Sequence, residues 1–239
     1  MELITIKDPK SPISEAYRTL RTNIQFSLPD TKVKTILVTS SGPGEGKSTT
    51  SSNIAVTFAQ NGHKTIIIDC DLRKSTIHKK FGVSNTIGLT NILIGEVNFN
   101  EESFKSQVAN LYILPSGTRP PNPAELLSSK KMEKFMEELK EKFEVIIIDT
   151  PPVLMVTDAQ ILSNYADGVI LVVASGEADK HAAQRAKELL EKVNAKILGV
   201  VLNKLDTTKK GYYGYYNYYY YGSDGQKQNK KRKINFFSR

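Results

Sequence analysis

Cysteine is nearly absent from this 239-residue chain, which holds one, Cys70. A single thiol excludes an internal disulfide framework and any CxxC metal or iron–sulfur site within one chain, and it fits a reducing cytoplasm. Tryptophan is missing altogether. Long apolar runs are missing too. The longest, such as Val145–Ile148 and Gly168–Ala174, fall far short of the roughly 18–20 residues that cross a bilayer. The opening MELITIKDPK has no apolar centre of a secretory signal. Acid is scarce in one place only. Residues 207–239 hold eight Lys or Arg against a single Asp224, so +7 of the formal +8 lies there. The remainder is nearly neutral, which excludes a body with a basic nucleic-acid-binding face. No nucleic-acid partner is expected.

Three regions follow. Residues 1–31 form a leader closed by Pro29-Asp30, residues 32–206 an α/β body, and residues 207–239 a low-complexity tail. In the leader, Ser11-Pro12 suits a helix start, and Ile13, Tyr17, Leu20 and Ile24 recur at helical spacing as one apolar stripe. Glu15, Arg18 and Arg21 step by three along another side. Spacing alone leaves two readings for them, a surface i,i+3 ion pair or a docking face for another subunit.

In the body, Val33–Thr39, Thr65–Ile68, Leu111–Leu114, Val145–Ile148, Gly168–Val173 and Lys196–Leu202 read as buried parallel strands. Ser48–Asn61, Ser129–Lys142 and Asp179–Asn194 read as helices, with Gly62 placed for a left-handed cap. Alternation of this kind predicts a doubly wound, mostly parallel sheet with helices on both faces. Its ligand site would lie at the carboxyl ends of the strands.

The segment TSSGPGEGKSTT, residues 39–50, sits between a predicted strand and a predicted helix, the setting of a P-loop. Small residues let the backbone curl into a ring of N–H donors, and the helix N-terminus adds partial positive charge. Gly42, Gly44, Glu45, Gly46, Lys47, Ser48 and Thr49 are the expected nucleotide-binding residues. Lys47 would reach the β- and γ-phosphates, and the Ser48 hydroxyl would ligate Mg²⁺. Ser41 stands where the common pattern has glycine, a departure that its small size tolerates.

Two other strand ends carry acids: Ile66–Ile68 runs into Asp69 and Asp71, and Val145–Ile148 into Asp149. A carboxylate at the end of an apolar strand is costly unless it is paired or close to a metal. Asp149 reads as the acid behind the metal shell. Asp69 and Asp71 are candidates for a second Mg²⁺ contact and for the base that deprotonates the attacking group; spacing does not divide those duties, and a helix N-cap is the plainer alternative. Cys70 reads as a small buried residue. Asn203, after the last strand, is placed either for an adenine edge or for a turn.

Eight of the eleven tyrosines fall in GYYGYYNYYYYG: Tyr212, Tyr213, Tyr215, Tyr216, Tyr218, Tyr219, Tyr220 and Tyr221. No core uses that many phenols without partners for their hydroxyls. The segment reads as a flexible array of phosphoryl acceptors, or else as a sticky association segment. Each phosphate adds roughly −1.5 to −2 charge, so four to six would cancel or reverse the tail's +7.

Together these pieces resemble one family, the bacterial tyrosine kinases, in the stand-alone cytoplasmic form found with Gram-positive capsule or exopolysaccharide genes. EAYRTLRTNI (15–24), SSGPGEGKSTT (40–50), IIIDCDLRKSTIHKKFG (66–82), LPSGTRPPNPAELL (114–127), VIIIDTPP (145–152) and the tyrosine cluster carry the resemblance over nearly the whole chain. It implies an ATP- and Mg²⁺-dependent tyrosine autokinase. Lys47 and Ser48 match the family's Walker A pair, Asp69 and Asp71 its Walker A′ acids, and Asp149 its Walker B acid. Glu15, Arg18 and Arg21 match its oligomerisation motif, which favours the docking reading of that helix. The resemblance further implies a ring in which one tail enters a neighbour's site, a membrane-embedded adaptor that controls polysaccharide chain length and recruits the kinase to the inner membrane face, and a cognate tyrosine phosphatase. Ser75 departs from the proline of many members. Two rivals remain. A partition or septum-placement ATPase of the same branch would carry a signature lysine where Gly42 stands. An ATP-gated scaffold would bind nucleotide without transferring phosphate.

Overall fold

Strands buried on both faces need apolar residues at every position rather than at alternate ones, and five of the six strands are buried along nearly their whole length; the last run, expected to be buried as well, lies at the edge of the sheet with Val200 59% and Leu202 48% exposed. The computed structural model describes residues 3–29 and 34–205. Its strands are β1 (Lys34–Ser40), β2 (Thr65–Asp69), β3 (Leu111–Leu114), β4 (Val145–Asp149), β5 (Gly168–Ala174) and β6 (Ile197–Asn203). All pair in parallel, in the order β3-β2-β4-β1-β5-β6. Alternate side chains feed two cores. Leu37, Ile66, Ile68, Ile146 and Ile148 face one, and Ile36, Val38, Ile67, Val145 and Ile147 face the other.

The helices are α1 (Ile4–Lys7), α2 (Pro12–Ser27), α3 (Lys47–Gln60), α4 (Ile77–Phe81), α5 (Leu89–Ile94), α6 (Pro123–Leu127), α7 (Lys130–Lys142), α8 (Asp158–Ser163) and α9 (Lys180–Lys192). Leu89, Met132, Phe135, Leu162 and Leu190 cover the first face. Leu3, Ile24, Ile54, Phe58 and Phe81 cover the second. This is an α/β P-loop architecture, a doubly wound parallel sheet with helices on both sides.

Several boundaries differ from the expected ones, and the differences matter. Asp69, Asp149 and Asn203 are the last residues of their strands rather than the first residues beyond them. Ser129 and Asp179 lie outside α7 and α9 and cap them, each accepting a backbone N–H from the first turn. Gly62 has φ +93 just past α3, the expected left-handed cap. The short helices α1, α4, α5, α6 and α8 have no counterpart in the periodicity, because four to six residues are too few to show a stripe.

Leader and body, which the sequence reads as two regions, share one core. Leu3, Ile24 and Leu28 are buried with Phe58 and Ile54 of α3. Thr5 donates its N–H and hydroxyl to Asn53 Oδ1 at 3.2 and 2.8 Å. The expected stripe on α2 is broken at one end: Ile24 is buried and Tyr17 and Leu20 pack on the core, but Ile13 is exposed. The described leader and body belong to one compact unit, Met1–Lys204. The tail with its eight tyrosines lies outside the described residues.

Candidate active site

Parallel pairing fixes where the acids meet. In the β2–β4 register Asp69 stands opposite Asp149, while Val38 of β1 pairs with Asp149 from the other side. The P-loop leaves β1 two residues later and enters α3. Lys47, Ser48, Asp69, Asp71 and Asp149 therefore gather at one sheet edge, as the sequence predicts.

Lys47 is the hub. Its Nζ lies 3.2 Å from Asp71 Oδ2 and 3.9 Å from Asp149 Oδ2, and it donates to the Ser48 hydroxyl at 3.1 Å. Burial opposes its charge, but Asp149, Asp71 and Asp69 outweigh that cost and raise its pKa. Asp149 is fully buried and accepts from Ser51 Oγ at 3.0 Å. Its Oδ2 is buried without a hydrogen-bond partner. Burial raises its pKa, with Lys47, Ser48 and Ser51 pulling back and Asp71 adding to the rise.

The two acids at the end of β2 and just beyond it make different contacts. Asp69 holds the following loop: Oδ2 accepts the N–H groups of Thr76 and Ile77 at 2.9 and 3.0 Å, and Oδ1 that of Asp71 at 3.2 Å. Burial first, then the Asp149 charge, push its pKa up to about 7, against those backbone donors. Asp71 accepts the Lys74 N–H on Oδ1, 2.9 Å, and turns Oδ2 to Lys47. The capping alternative, raised for both acids, describes Asp69, whose Oδ2 holds the entry to α4, and not Asp71, whose partner Lys74 lies ahead of that helix. Cys70 between them is buried, and burial together with the surrounding acids drives its thiol pKa well up. That suits a small packed residue and not a reactive thiolate.

The loop is closed by its own side chains. Glu45 is buried, and its Oε1 accepts from the Ser41 hydroxyl and from the Gly42 N–H, the latter at 2.7 Å. Ser41 thus serves the loop in the place of the usual glycine. Asn203 Nδ2 donates to the Glu45 carbonyl at 2.9 Å. One amide hydrogen of Asn203 is used on the loop, which leaves the second and Oδ1 for the adenine edge that sequence reading offers; the residue is strand, not turn. Gly46 has φ +94, and a Cβ there would stand 2.0 Å from Asn203 Nδ2. Glycine is needed for both the backbone conformation and the space. Gly44, at φ +80, opens onto free space.

These residues fit a magnesium nucleotide. Three carboxylates crowd one lysine, and the Asp149 Oδ2 has no donor. Among the described residues no three His, Cys, Asp or Glu side chains group closely enough to hold a metal by themselves. A cation held by the Ser48 hydroxyl and one or two carboxylates would need phosphate oxygens and water for the rest, which is how Mg²⁺ is ordinarily bound.

Other residues at this edge were not singled out from the sequence. Ser51 anchors Asp149. Lys80 Nζ, from α4, donates to Thr49 Oγ1 at 2.8 Å. Arg73 makes a two-point bond to the fully buried Asp158, Nε–Oδ2 3.2 Å and Nη2–Oδ1 3.3 Å, and so ties the loop after β2 to α8. The DxDxR spacing was the one available signal for Arg73. Glu15, Arg18 and Arg21 are not brought to this edge. Arg18 pairs with Glu15 at 2.6 Å on α2, and Arg21 donates to the Thr57 carbonyl of α3 at 3.2 Å.

Residues 33–204 match the family model described as AAA domain. Among curated proteins the chain is 48% identical over 214 residues to tyrosine-protein kinase YwqD of Bacillus subtilis, covering 88% of this chain and 90% of that one. It is 46% identical to tyrosine-protein kinase CpsD of Streptococcus pneumoniae, covering 83% and 87%. Among solved structures, the chimerical protein CapA2B2 superposes with a TM-score of 0.82 at 42% identity, over 86% of this chain and 90% of that one. The septum site-determining protein MinD of Pyrococcus horikoshii, complexed with Mg-ADP, gives 0.60 at 26%, over 71% and 70%. MinD shares the fold; the kinases share the fold, most of the length and far more of the sequence. The chain belongs to the bacterial tyrosine-protein kinases, enzymes built on a P-loop AAA domain.

Proposed function

We propose that this kinase phosphorylates the tyrosines at 212–221 of a neighbouring copy, using Mg·ATP, and that it thereby regulates capsule or exopolysaccharide synthesis and export. The observation that carries the reading is the convergence of Lys47 and Ser48 with Asp69, Asp71 and Asp149 at one strand edge, in a chain that also holds eight clustered phenols.

Each residue then has a task. The loop N–H groups and Lys47 hold the β- and γ-phosphates. Ser48, Asp71 and Asp149 would hold Mg²⁺, which when bound would supply positive charge against the phosphates. The phenolic oxygen forms a bond to the γ-phosphorus as the bridging bond to ADP breaks. ADP leaves with that electron pair, and the phenolic proton passes to the Asp69–Asp71 pair. Burial raises the Asp69 carboxyl towards its protonated form, the direction that suits a proton acceptor. Phosphates accumulating on the tail would reverse its charge and loosen a ring built through Glu15, Arg18 and Arg21.

Relatives supply the setting. The CapA2B2 chimera supports a second protein that acts with the kinase, read here as the cytoplasmic end of a membrane adaptor. Recruitment to the inner membrane face would follow from that adaptor, since no described helix is long and apolar enough to cross a membrane. A cognate phosphatase would reset the tail.

The test mixes two chains with Mg·ATP: a Lys47→Met chain with its tail intact, and an active chain whose eight tail tyrosines are replaced by Phe. Mass spectrometry then maps the phosphate. Phosphotyrosine at 212–221 of the Lys47→Met chain is expected. A phosphate-free tail would favour the scaffold reading. In the same preparation, replacing Arg18 and Arg21 by Ala should leave a monomer by light scattering; a persistent oligomer would remove α2 from the interface.

A further inference from the structure

Asp149 and Asp71 are fixed in unlike ways. Asp149 is the last residue of β4 and is fully buried. The sheet holds it, with β1 on one side and β2 on the other. Asp71 lies two residues beyond the end of β2, in the loop that leads to α4, and no strand holds it there. Its own carboxylate closes a short turn: Oδ1 accepts the Lys74 N–H at 2.9 Å, while Oδ2 faces Lys47 Nζ at 3.2 Å. The aim of that carboxylate therefore depends on what fixes the turn from Asp71 to Lys74.

Inside the turn stands Arg73. Its Nε and Nη2 reach Asp158 Oδ2 and Oδ1 at 3.2 and 3.3 Å, a fork that sets the plane of the guanidinium as well as its place. Asp158 is the first residue of α8 and is fully buried. A carboxylate at that position ordinarily serves its own helix, and Thr157 ahead of it makes no side-chain cap. Both Asp158 oxygens turn to Arg73 instead. Desolvation cancels most of the attraction in a buried ion pair, so net stability is a poor account of the arrangement and a positional duty a better one.

The far end of the fork is anchored to the strand that feeds the P-loop. Between Asp149 and Asp158, Thr150 donates its N–H to the Val38 carbonyl at 3.1 Å and Val153 donates its N–H to the Ser40 carbonyl at 2.9 Å. Thr39 Oγ1 donates to the Pro151 carbonyl at 2.9 Å. Val38, Thr39 and Ser40 are the end of β1, where the loop begins. Asp158 thus belongs to the frame from which Lys47 and Ser48 project, and Arg73 ties the Asp71 turn to that frame.

We infer that Arg73 and Asp158 are a positioning pair for the metal side of the site: they hold the turn from Asp71 to Lys74 so that the Asp71 carboxylate faces Lys47 and Asp149. Neither residue touches nucleotide or metal in this scheme. Magnesium tolerates little departure from its octahedral geometry, so a loosened turn costs metal affinity before it costs nucleotide affinity. The inference rests on the reading of Asp71 as one of the residues that would hold Mg²⁺, and adds what aims it.

The test is binding, not turnover. Isothermal titration calorimetry of the full chain gives Kd for ADP in excess Mg²⁺ and in EDTA, and the ratio is the gain that Mg²⁺ supplies. Asp158→Asn keeps the size of the side chain and Arg73→Lys keeps the charge, while each breaks the paired fork. In each, the Mg²⁺ gain should fall about tenfold, with Kd in EDTA unchanged. The two changes together should lower it no further, because they break one contact. An unchanged gain in both variants would overturn the positioning role. So would an equal weakening in EDTA, which would put the effect on the phosphate loop. Asp71→Asn separates the inference from the reading beneath it. If that variant keeps the full gain, or if the parent gains nothing from Mg²⁺, the reading of Asp71 fails and the inference with it. If Asp71→Asn removes the gain while Asp158→Asn and Arg73→Lys keep it, the inference alone fails.

A second variant guards against a merely structural effect. Arg73→Met with Asp158→Leu replaces the ion pair by apolar groups of similar size, an exchange that is often neutral for stability. Its melting temperature should stay near that of the parent, and its Mg²⁺ gain should still be down about tenfold. A lowered melting temperature with a full Mg²⁺ gain would make the pair a brace for α8 alone and overturn the assignment.

Discussion

Helices α3 and α7 are nearly equal in length and cover opposite faces of the same sheet, yet they are held in different ways. In α7, KKMEKFMEELKEK, the buried residues are Met132, Phe135, Met136 and Leu139, a single stripe with charge elsewhere. In α3, KSTTSSNIAVTFAQ, every residue from Thr50 to Ala59 is buried. Its polar side chains turn back on its own carbonyls: Ser52 to Ser48 at 2.6 Å, Asn53 to Thr49 at 2.8 Å, Thr57 to Ile54 at 2.8 Å. Such back-bonding weakens a helix on its own. What holds α3 is the packing of α1, α2 and the sheet around it. The contrast shows the cost of using a helix N-terminus as a ligand site. A helix that leaves its first N–H groups for phosphate must be fixed by its surroundings.

The sharpest way to break the comparison is at the first residue of α3. Lys47→Met should abolish tail phosphorylation, a loss of several orders of magnitude, because the γ-phosphate loses its side-chain cation. Helix content by circular dichroism should hardly change, since tertiary contacts and not Lys47 maintain α3. Robust residual labelling would put the cation elsewhere.

The corresponding weakness of α7 is its stripe. Leu139 is fully buried, and Leu139→Ala should cost about 2–5 kcal/mol by chemical denaturation, with KM for ATP unaffected because α7 carries no site residue. For α3 the equivalent lesion is polar. Asn53→Ala leaves the Thr5 N–H and hydroxyl without their acceptor and should cost about 1–3 kcal/mol. If it costs nothing, the leader does not brace the helix.

How far each region was legible follows from the same contrast. Strands β1 to β5 could be read because burial on both faces leaves runs of Ile, Val and Leu; β6 carries a similar run although it is an edge strand and partly exposed. Helix α7 could be read because one-sided burial leaves a period. Helix α3 could be placed only because the phosphate loop announces its start; its Ser- and Thr-rich interior has no stripe to read. At the site, Asp69, Asp71 and Asp149 were legible as acids following apolar runs. Ser51, Lys80 and the Arg73–Asp158 pair were not. Ser51 meets Asp149 across 98 residues of chain and Arg73 meets Asp158 across 85, and only the strand order brings them together. The same applies to Asn203, whose amide reaches Glu45 across 158 residues.

The smallest effect separates the two N-termini themselves. Helix α7 caps itself: the Ser129 side chain accepts the Met132 N–H at 3.2 Å. The capping position of helix α3 is Gly46, which has no side chain to do so, so its first donors remain for a phosphate. Ser129→Ala should therefore cost about 1 kcal/mol, and the cost should be the same with and without Mg·ATP. The parent, by contrast, should gain about 2.7 kcal/mol of apparent stability at a hundredfold excess of nucleotide over its Kd. Thermal melts of both proteins, each with and without Mg·ATP, give the comparison directly. An equal nucleotide-induced gain in parent and Ser129→Ala means that the ligand caps α3 alone. A smaller gain in the variant would mean that the two faces of the sheet are coupled, and that α7 contributes to the site it does not touch.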